Sequence, residues 1–131
     1  MIGLATNLLV RYLTQDDLAQ ARKAGEVIEK ASAKGEKLLI QPVVLCELVW
    51  VLETAYDYAR KEVSVVMEKI LRTAQFEFPE KEIVWRAWGD YRSGKGDFAD
   101  YLIGRANEQM GVEYTITFDQ ALKSHKQFRV L

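Results

Sequence analysis

The sequence predicts an α/β fold in which a short parallel sheet of four to five strands is flanked by helices. Short apolar runs of strand length alternate along the chain with longer segments whose apolar residues recur at helical spacing. Residues that start and end helices stand between the two kinds of segment. Strands that alternate with helices in this way indicate a parallel sheet covered on both faces.

The first strand is predicted at residues 2–4, a short apolar run. Thr6 and Asn7 follow it directly, and both residue types cap helices well, so a helix is expected to begin there without an intervening loop. Asp16 or Asp17 is placed to cap the second helix in the same way. The chain is therefore expected to start as a strand that runs straight into a pair of helices.

The second helix is expected to end at Gly35, because glycine suits the left-handed turn that closes many helices. A second strand follows at residues 38–40. Pro42 then suits the first turn of a third helix. That helix is apolar around much of its circumference, which predicts that it is buried between other layers.

The same alternation continues in the second half of the chain. Apolar spacing indicates a fourth helix over residues 63–74, and a third strand is predicted at residues 76–78. Pro79 is expected to open the fifth helix. Residues 93–96 read as a flexible loop, after which Asp97 is placed as the N-cap of a sixth helix.

Asp100 lies three residues beyond this cap, as in a variant of the capping box. The sixth helix is expected to end near Gly111, and residues 114–117 are predicted to form a fourth strand. Asp119 then starts a short helix, and residues 128–131 form a terminal strand.

A single domain is expected over residues 1–131, because a chain of this length buries roughly two thirds of its unfolded surface without disulfides or structural metals. No apolar run approaches the roughly 18 residues that span a bilayer, and no secretory signal is recognisable at the N-terminus. The single cysteine, Cys46, excludes an internal disulfide and is expected to be a buried apolar side chain. These features predict a cytoplasmic protein without membrane association.

The formal net charge of −1 argues against broad electrostatic wrapping of nucleic acid, which relies on many Lys and Arg contacts to phosphates. A local basic rim is compatible with this charge, although each candidate is more simply explained as a solvated surface residue. The candidates for such a rim are Arg11, Arg22, Lys23, Arg86, Arg92 and Lys95.

Several acids are placed where they could share one site. Ligands of open parallel sheets bind beyond the carboxyl ends of the strands, where Ala5 and Asp119 follow the first and fourth strands. Glu47 lies one to two turns into the apolar third helix, and Asp100 lies in the first turn of the sixth, so both could project into the same crevice. A glutamate in the apolar surroundings of Glu47 would be costly to bury without a partner.

Clustered carboxylates raise one another's pKa unless a cation neutralises them, so these acids predict a metal site. Ligand sets made only of oxygen favour Mg²⁺ or Mn²⁺. Such an ion orients a water molecule against a phosphodiester and stabilises the charge that develops on the phosphate oxygens. The acids therefore predict a metal-dependent nuclease.

Four segments occur in a characteristic order: residues 2–10 (IGLATNLLV), 44–52 (VLCELVWVL), 97–103 (DFADYLI) and 115–119 (TITFD). Through their order and spacing, essentially the whole chain resembles the PIN-domain ribonucleases of the VapC toxin group. The resemblance implies a three-layer PIN-like fold, a site for Mg²⁺ or Mn²⁺, and endonucleolytic cleavage of RNA, with tRNA a common target class. It also implies a cognate antitoxin that occupies the active-site groove, and a homodimer.

The same resemblance assigns roles to residues. Asn7 and Thr117 would orient acids and water through hydrogen bonds. Asp97 would act as an acidic helper beside the other ligands. The metal-binding acids that the resemblance implies are Glu47, Asp97, Asp100 and Asp119.

Ala5 departs from the family pattern, which has an aspartate at this position. Alanine offers no ligand atom, and loss of even an indirect partner of a metal typically costs about 10- to 100-fold in affinity or activity. We therefore expect the chain to keep the fold but to be inactive or nearly so. An engineered substitution that disarms a toxin is the favoured explanation, and a naturally degenerate copy is the alternative.

Some of these residues also have simpler explanations, and other functions are open. Asp97 and Asp119 precede helices, where acids serve as caps, and Asn7 could merely support the first helix. A phospho-accepting receiver domain needs an acidic pair after the first strand, which Ala5 and its neighbours do not supply. A module that binds an antitoxin without cutting RNA is a third function, and Ala5 favours it.

Overall fold

The computed structural model describes all of residues 1–131. Every predicted strand and helix is present, and strands and helices alternate as the α/β class requires. Their bounds are β1 (Ile2–Gly3), α1 (Thr6–Thr14), α2 (Leu18–Lys34), β2 (Leu38–Leu39), α3 (Pro42–Thr54), α4 (Arg60–Leu71), β3 (Phe76–Glu77), α5 (Lys81–Ser93), α6 (Phe98–Gln109), β4 (Thr115–Thr117), a 3₁₀ turn η1 (Gln120–Leu122) and β5 (Phe128–Val130).

Two compact units divide the chain, Met1–Pro79 and Glu80–Leu131. In the first unit, β1, β2 and β3 pair in parallel in that order. In the second unit, β4 and β5 pair in parallel. The predicted α/β class with parallel strands is therefore confirmed, and backbone hydrogen bonds group the five strands into a set of three and a set of two.

Helices pack against one another in the first unit and supply most of its core. α1 packs against α2 and α3, and α3 packs against α4. The ladder extends beyond the short strands, because the Leu4 N–H donates to the Leu39 carbonyl at 2.9 Å. The apolar side chains that are fully buried in this unit include Leu9, Leu38, Ile40, Leu45, Leu48, Leu52 and Met67.

The prediction that Thr6 or Asn7 caps α1 is wrong, because the N-cap residue is Ala5 and no side chain caps this helix. Three other local signals for helix ends acted as predicted. Asp17 caps α2 by accepting a hydrogen bond from the Gln20 N–H, Gly35 ends the helix with a φ of 67°, and Pro42 is the first residue of α3. Pro79, however, does not open α5. Glu80 after it has a φ of 53°, a left-handed conformation outside the helical region, so the helix begins only at Lys81.

The expectation that α3 is buried between other layers holds for only part of its circumference, which packs against α1 and α4. Its residues Val44, Leu45, Leu48, Val49 and Leu52 are buried. Val43, Glu47 and Trp50 recur at spacings of four and three residues, and they share one face that is open to solvent. Val43, Glu47 and Trp50 are all exposed. One side of α3 therefore faces solvent, and Glu47 lies on that side.

In the second unit, α5 packs against α6 and a charged network joins them. The Arg105 guanidinium donates two hydrogen bonds to the Asp90 carboxylate, at 2.7 and 2.8 Å, and a third to Glu108 at 3.1 Å. His125 Nε2 lies 3.2 Å from the same Asp90 carboxylate. Large buried rings complete the core of this unit: Tyr91, Phe98, Tyr101 and Phe128.

None of the helices combines the length and the apolar character that a membrane span requires.

Candidate metal centre

Three aspartates of the second unit form one cluster. One carboxylate oxygen from each of Asp97, Asp100 and Asp119 lies within 4.8 Å of the corresponding oxygens of the other two. Asp97 is exposed, and Asp100 and Asp119 are half-buried. The set consists of oxygen donors alone, open to solvent on one side, which is the arrangement that hard divalent cations such as Mg²⁺ favour.

The start of α6 positions two of these acids. Asp97 is the N-cap residue, with φ and ψ of −76° and 146°, and Asp100 follows in the first helical turn. Residues three apart on a helix lie on the same side, so the spacing brings the two carboxylates together. The Asp97 side chain makes no cap hydrogen bond, contrary to the predicted capping box. Its carboxylate is directed to the cluster instead of to the backbone of its own helix.

The third acid lies where β4 ends and η1 begins. The Asp119 N–H donates to Thr117 Oγ1 at 3.1 Å, and Asp119 Oδ1 accepts a hydrogen bond from the Ala121 N–H at 2.9 Å. Thr117 therefore fixes the backbone of Asp119, and η1 fixes one of its two carboxylate oxygens. A carboxylate has further acceptor capacity, so the cap does not exhaust this side chain as a ligand.

Electrostatics within the cluster favour a cation. Burial raises the pKa of the Asp100 carboxyl above its ordinary value, and the charges of Asp97 and Asp119 raise it further. The same repulsion disfavours three ionised carboxylates at this spacing. A divalent ion between them would convert this repulsion into attraction.

Glu47 lies in the first unit and has a specific partner there. Thr6 Oγ1 donates a hydrogen bond to Glu47 Oε1 at 2.9 Å. Glu47 is exposed and its hydrogen bond lies at the surface, so the cost of burying an unpaired glutamate, which the sequence raised, does not arise. Sequence reasoning treated Thr6 only as a helix cap and missed this contact. The signal that could have indicated it was a hydroxyl residue next to position 5, just beyond the end of the first strand.

Ala5 and Asn7 flank Thr6. Ala5 is the exposed N-cap residue of α1, with φ and ψ of −87° and 162°, and contributes no side-chain hydrogen bond to the helix. Asn7 is exposed and borders two shallow depressions, one beside Arg11 and Lys23 of the α1–α2 pair and the other beside α3. In this structure the hydrogen bond to Glu47 comes from Thr6.

The structure thus gathers Asp97, Asp100 and Asp119 at one point of the second unit, and it links Glu47 to Thr6 in the first. The assignment of Glu47 to the same metal as the aspartates rests on the sequence motifs.

Comparison with known proteins identifies a family and a relative. The family model for the PIN domain matches residues 4–127. The chain is 29% identical to a VapC ribonuclease of Aquifex aeolicus (strain VF5) over 120 residues, which cover 92% of this chain and 88% of the relative. No solved structure gave a significant match.

Proposed function

The chain belongs to the PIN-domain family, and from this membership we propose that it is the toxin of a type II toxin–antitoxin system, built as an endoribonuclease. The relative that covers nearly the whole chain is named a VapC ribonuclease. The observation that carries the proposal is the convergence of Asp97, Asp100 and Asp119 within 4.8 Å inside the segment that the family model matches.

Mg²⁺ or Mn²⁺ is the cofactor that this donor set fits, because the cluster offers carboxylate oxygens without nitrogen or sulfur. Asp97, Asp100 and Asp119 would hold the ion, and Glu47 is proposed as a further ligand. When bound, such an ion supplies an activated water and stabilises charge on phosphate oxygens. RNA is the substrate class we propose, with tRNA as the first molecules to examine.

The chain's own residues prepare this site by positioning the acids. Thr117 fixes the backbone at Asp119, and the first turn of α6 sets the distance between Asp97 and Asp100. Thr6 orients the Glu47 carboxylate. Preorganised carboxylates need little rearrangement when an ion and a phosphate bind. Such electrostatic preorganisation supplies most of the rate enhancement of many enzymes. Asn7 is proposed to bind water or substrate from its exposed position.

Ala5 is proposed to impair the activity of this chain, since it removes one carboxylate from the family pattern.

We further propose that the two units act as one PIN domain, because the family match spans both. The partners proposed are a cognate antitoxin and a second copy of the chain, and the site of action is the cytoplasm, where RNA is available.

The test is an RNA-cleavage assay with Mg²⁺ or Mn²⁺ that compares the chain with Ala5→Asp. We expect Ala5→Asp to cleave at least about 10- to 100-fold faster. Asp100→Asn in the Ala5→Asp background should abolish the gain, whereas Glu113→Gln, which removes an exposed acid outside the cluster, should leave it intact. Equal and robust cleavage by the parent chain and by the Ala5→Asp variant would refute the role assigned to this position.

A binding module that sequesters an antitoxin without cutting RNA is the second candidate, and Ala5 is the observation that favours it. Tight antitoxin binding without any cleavage by Ala5→Asp would select this function. A receiver domain is set aside, because the acids gather at the start of α6 and at η1 and the family is that of PIN domains.

A further inference from the structure

Phe118 differs from every other phenylalanine of the chain in its exposure. The chain contains five phenylalanines, and the other four, Phe76, Phe78, Phe98 and Phe128, are buried. Phe118 is 80% exposed. A ring in water forgoes the gain that burial would bring, and it presents a flat face that a ligand can cover.

The position of Phe118 ties it to the candidate metal centre. It directly precedes Asp119, and consecutive Cα atoms are only about 3.8 Å apart. Alternation along the extended chain directs the Phe118 ring and the Asp119 carboxylate to opposite sides of the backbone, so an RNA strand whose phosphate reached the aspartate cluster would have to pass over the end of β4 for a neighbouring base to meet the ring. Bases of single-stranded RNA stack readily on exposed aromatic side chains.

Both neighbours of Phe118 are held in place although its ring is not. The Thr117 carbonyl accepts a hydrogen bond from the Leu131 N–H at 2.9 Å, which anchors the residue before Phe118 to the end of β5. Asp119 after it is fixed by Thr117 Oγ1 and by the Ala121 N–H. The ring therefore projects from an ordered backbone, so little conformational entropy is lost when a ligand binds.

The same surface continues along β4 with chemistry that suits a nucleic acid strand. Ile116 is exposed like Phe118, whereas Thr117 between them is half-buried, so Ile116 and Phe118 share the outward face. Arg129 of β5 is the register partner of Ile116, and its guanidinium lies 3.7 Å from the centre of the Tyr114 ring. Aromatic rings with a nearby cation are the features that bind single-stranded nucleic acid without regard to sequence.

We propose that Phe118 is a stacking platform for a base of single-stranded RNA beside the aspartate cluster, and that Arg129 pairs with a phosphate farther along β4. The inference rests on the proposed ribonuclease function and adds a substrate-contacting residue to it. Phe118 acts by positioning the strand, and the aspartates remain the residues that would hold the ion.

The experiment measures by fluorescence anisotropy how a fluorescein-labelled single-stranded RNA of about eight nucleotides binds to the full chain in the presence of Mg²⁺. The length of the RNA is checked afterwards on a gel to show that it was not cut. Phe118→Ala is expected to weaken binding by about 5- to 150-fold, the usual effect of losing one stacked base. Phe118→Trp should retain binding, and Phe118→Leu should not restore it, because a leucine side chain is apolar but has no aromatic face. Met110→Ala removes an equally exposed apolar side chain of the same unit and should have no effect.

RNAs that carry one abasic nucleotide at successive positions complete the test. If the missing base is the one that stacks on Phe118, the abasic RNA should bind the parent chain more weakly than the intact RNA does. Phe118→Ala should bind the same abasic RNA no more weakly than the parent chain does, since the missing base and the missing ring remove the same contact. Arg129→Gln should reduce the salt dependence of binding. A merely structural role of Phe118 would not produce this coupling to a single base.

The outcomes separate this inference from the proposed function. Unchanged RNA binding by Phe118→Ala, with cleavage by Ala5→Asp still dependent on Asp119, overturns the platform and leaves the ribonuclease standing. Loss of binding to an antitoxin with unchanged RNA binding also overturns it, and assigns the ring to a protein contact instead. Failure of both RNA binding and cleavage refutes the two proposals together.

Discussion

Thr6 Oγ1 donates a 2.9 Å hydrogen bond to Glu47 Oε1, a contact between residues 41 positions apart in the sequence. It joins the first turn of α1 to the solvent-facing side of α3 and leaves the second oxygen of Glu47 available. The hydroxyl belongs to the residue after Ala5, so the contact also places the Glu47 carboxylate near the end of β1.

Thr6→Val keeps the shape of the side chain but removes the donor, so Glu47 should lose its orientation. In the Ala5→Asp background, we expect cleavage at limiting Mg²⁺ to fall by about 10- to 100-fold, the usual effect of losing a residue that orients a metal ligand. The effect on folding should be small, about 0.5–1.5 kcal/mol in urea unfolding. Thr6→Ser retains the hydroxyl and is the matched control, which in the same background should cleave nearly as well as Ala5→Asp alone. If Thr6→Val in this background kept the Mg²⁺ dependence of Ala5→Asp, the hydrogen bond would have no role in metal binding.

Asp100 predicts a pH dependence of stability in the absence of metal. Burial raises the pKa of its carboxyl above the ordinary value of 3.8, and Asp97 and Asp119 raise it further. The folded state therefore binds this proton more tightly than the unfolded state does. Its contribution to stability is complete below the unfolded pKa and is lost as the pH rises through the folded pKa.

Urea unfolding in EDTA at about pH 4 and about pH 7 measures this contribution. Asp100→Asn should raise the free energy of unfolding at neutral pH relative to the parent chain, because it removes a charged carboxylate from the cluster. In acid the increase in the free energy of unfolding should be smaller. Mg²⁺ should stabilise the parent at neutral pH and leave Asp100→Asn nearly unaffected. Glu113→Gln is the control, since it lies outside the cluster. If Asp100→Asn changed the free energy of unfolding by the same amount at both pH values, the electrostatic explanation would be contradicted.

Cys46 should be a slow nucleophile in the folded chain. Burial raises the pKa of its thiol to about 11, and the negative charge of the neighbouring Glu47 adds to the increase. At about pH 8 roughly one thiol in a thousand would be ionised, and only the thiolate reacts readily. Labelling with iodoacetamide, followed by mass spectrometry, should therefore be more than about 100-fold faster in denaturant than in buffer. Equal rates in the two conditions would show that the thiol is not shielded by the fold.

Gly104 is required by close packing in the second unit. A Cβ atom at this position would lie 2.7 Å from Cζ of the buried Phe128 ring, so Gly104→Ala must displace the ring or the helix. We expect a destabilisation of about 1–2 kcal/mol, since the clash outweighs the better helix propensity of alanine.

Gly25→Ala in α2 is the matched control for this change, because nothing lies within 4 Å of the added Cβ. It should stabilise the chain by about 0.5–1 kcal/mol through helix propensity. In a double variant with Gly104→Ala, Phe128→Leu should relieve much of the clash. Thermal unfolding should then show that the stability changes of the two single variants do not add up to that of the double variant. Additive changes would mean that the ring and the glycine do not interact.

Strands and helix starts were predictable where the signal lies in adjacent residues. The third strand was predicted at residues 76–78 and is found at Phe76–Glu77. The prediction succeeded because apolar and polar residues alternate in this segment. Asp17 and Gly35 acted as local signals for the same reason. Pro79 misled, because the start of α5 depends on the left-handed conformation of Glu80, which no neighbouring residue signals.

Glu47 shows why burial was harder to predict. α3 has apolar residues around much of its circumference, so its sequence does not reveal which side meets other helices. The packing against α1 and α4 leaves the side with Val43, Glu47 and Trp50 open to solvent. Burial is a property of the neighbours of a helix, and these are separated from it in sequence.

The sequence by itself determined the order of strands and helices, the parallel α/β class and the identities of the acids, because apolar periodicity and helix capping act between residues a few positions apart. Only the tertiary structure decided that oxygens of Asp97, Asp100 and Asp119 meet within 4.8 Å, that Thr6 holds Glu47, and that the ring of Phe118 stays in solvent. These relations depend on how β4 pairs with β5 and how α1 packs on α3, which are contacts between segments that the chain itself keeps far apart.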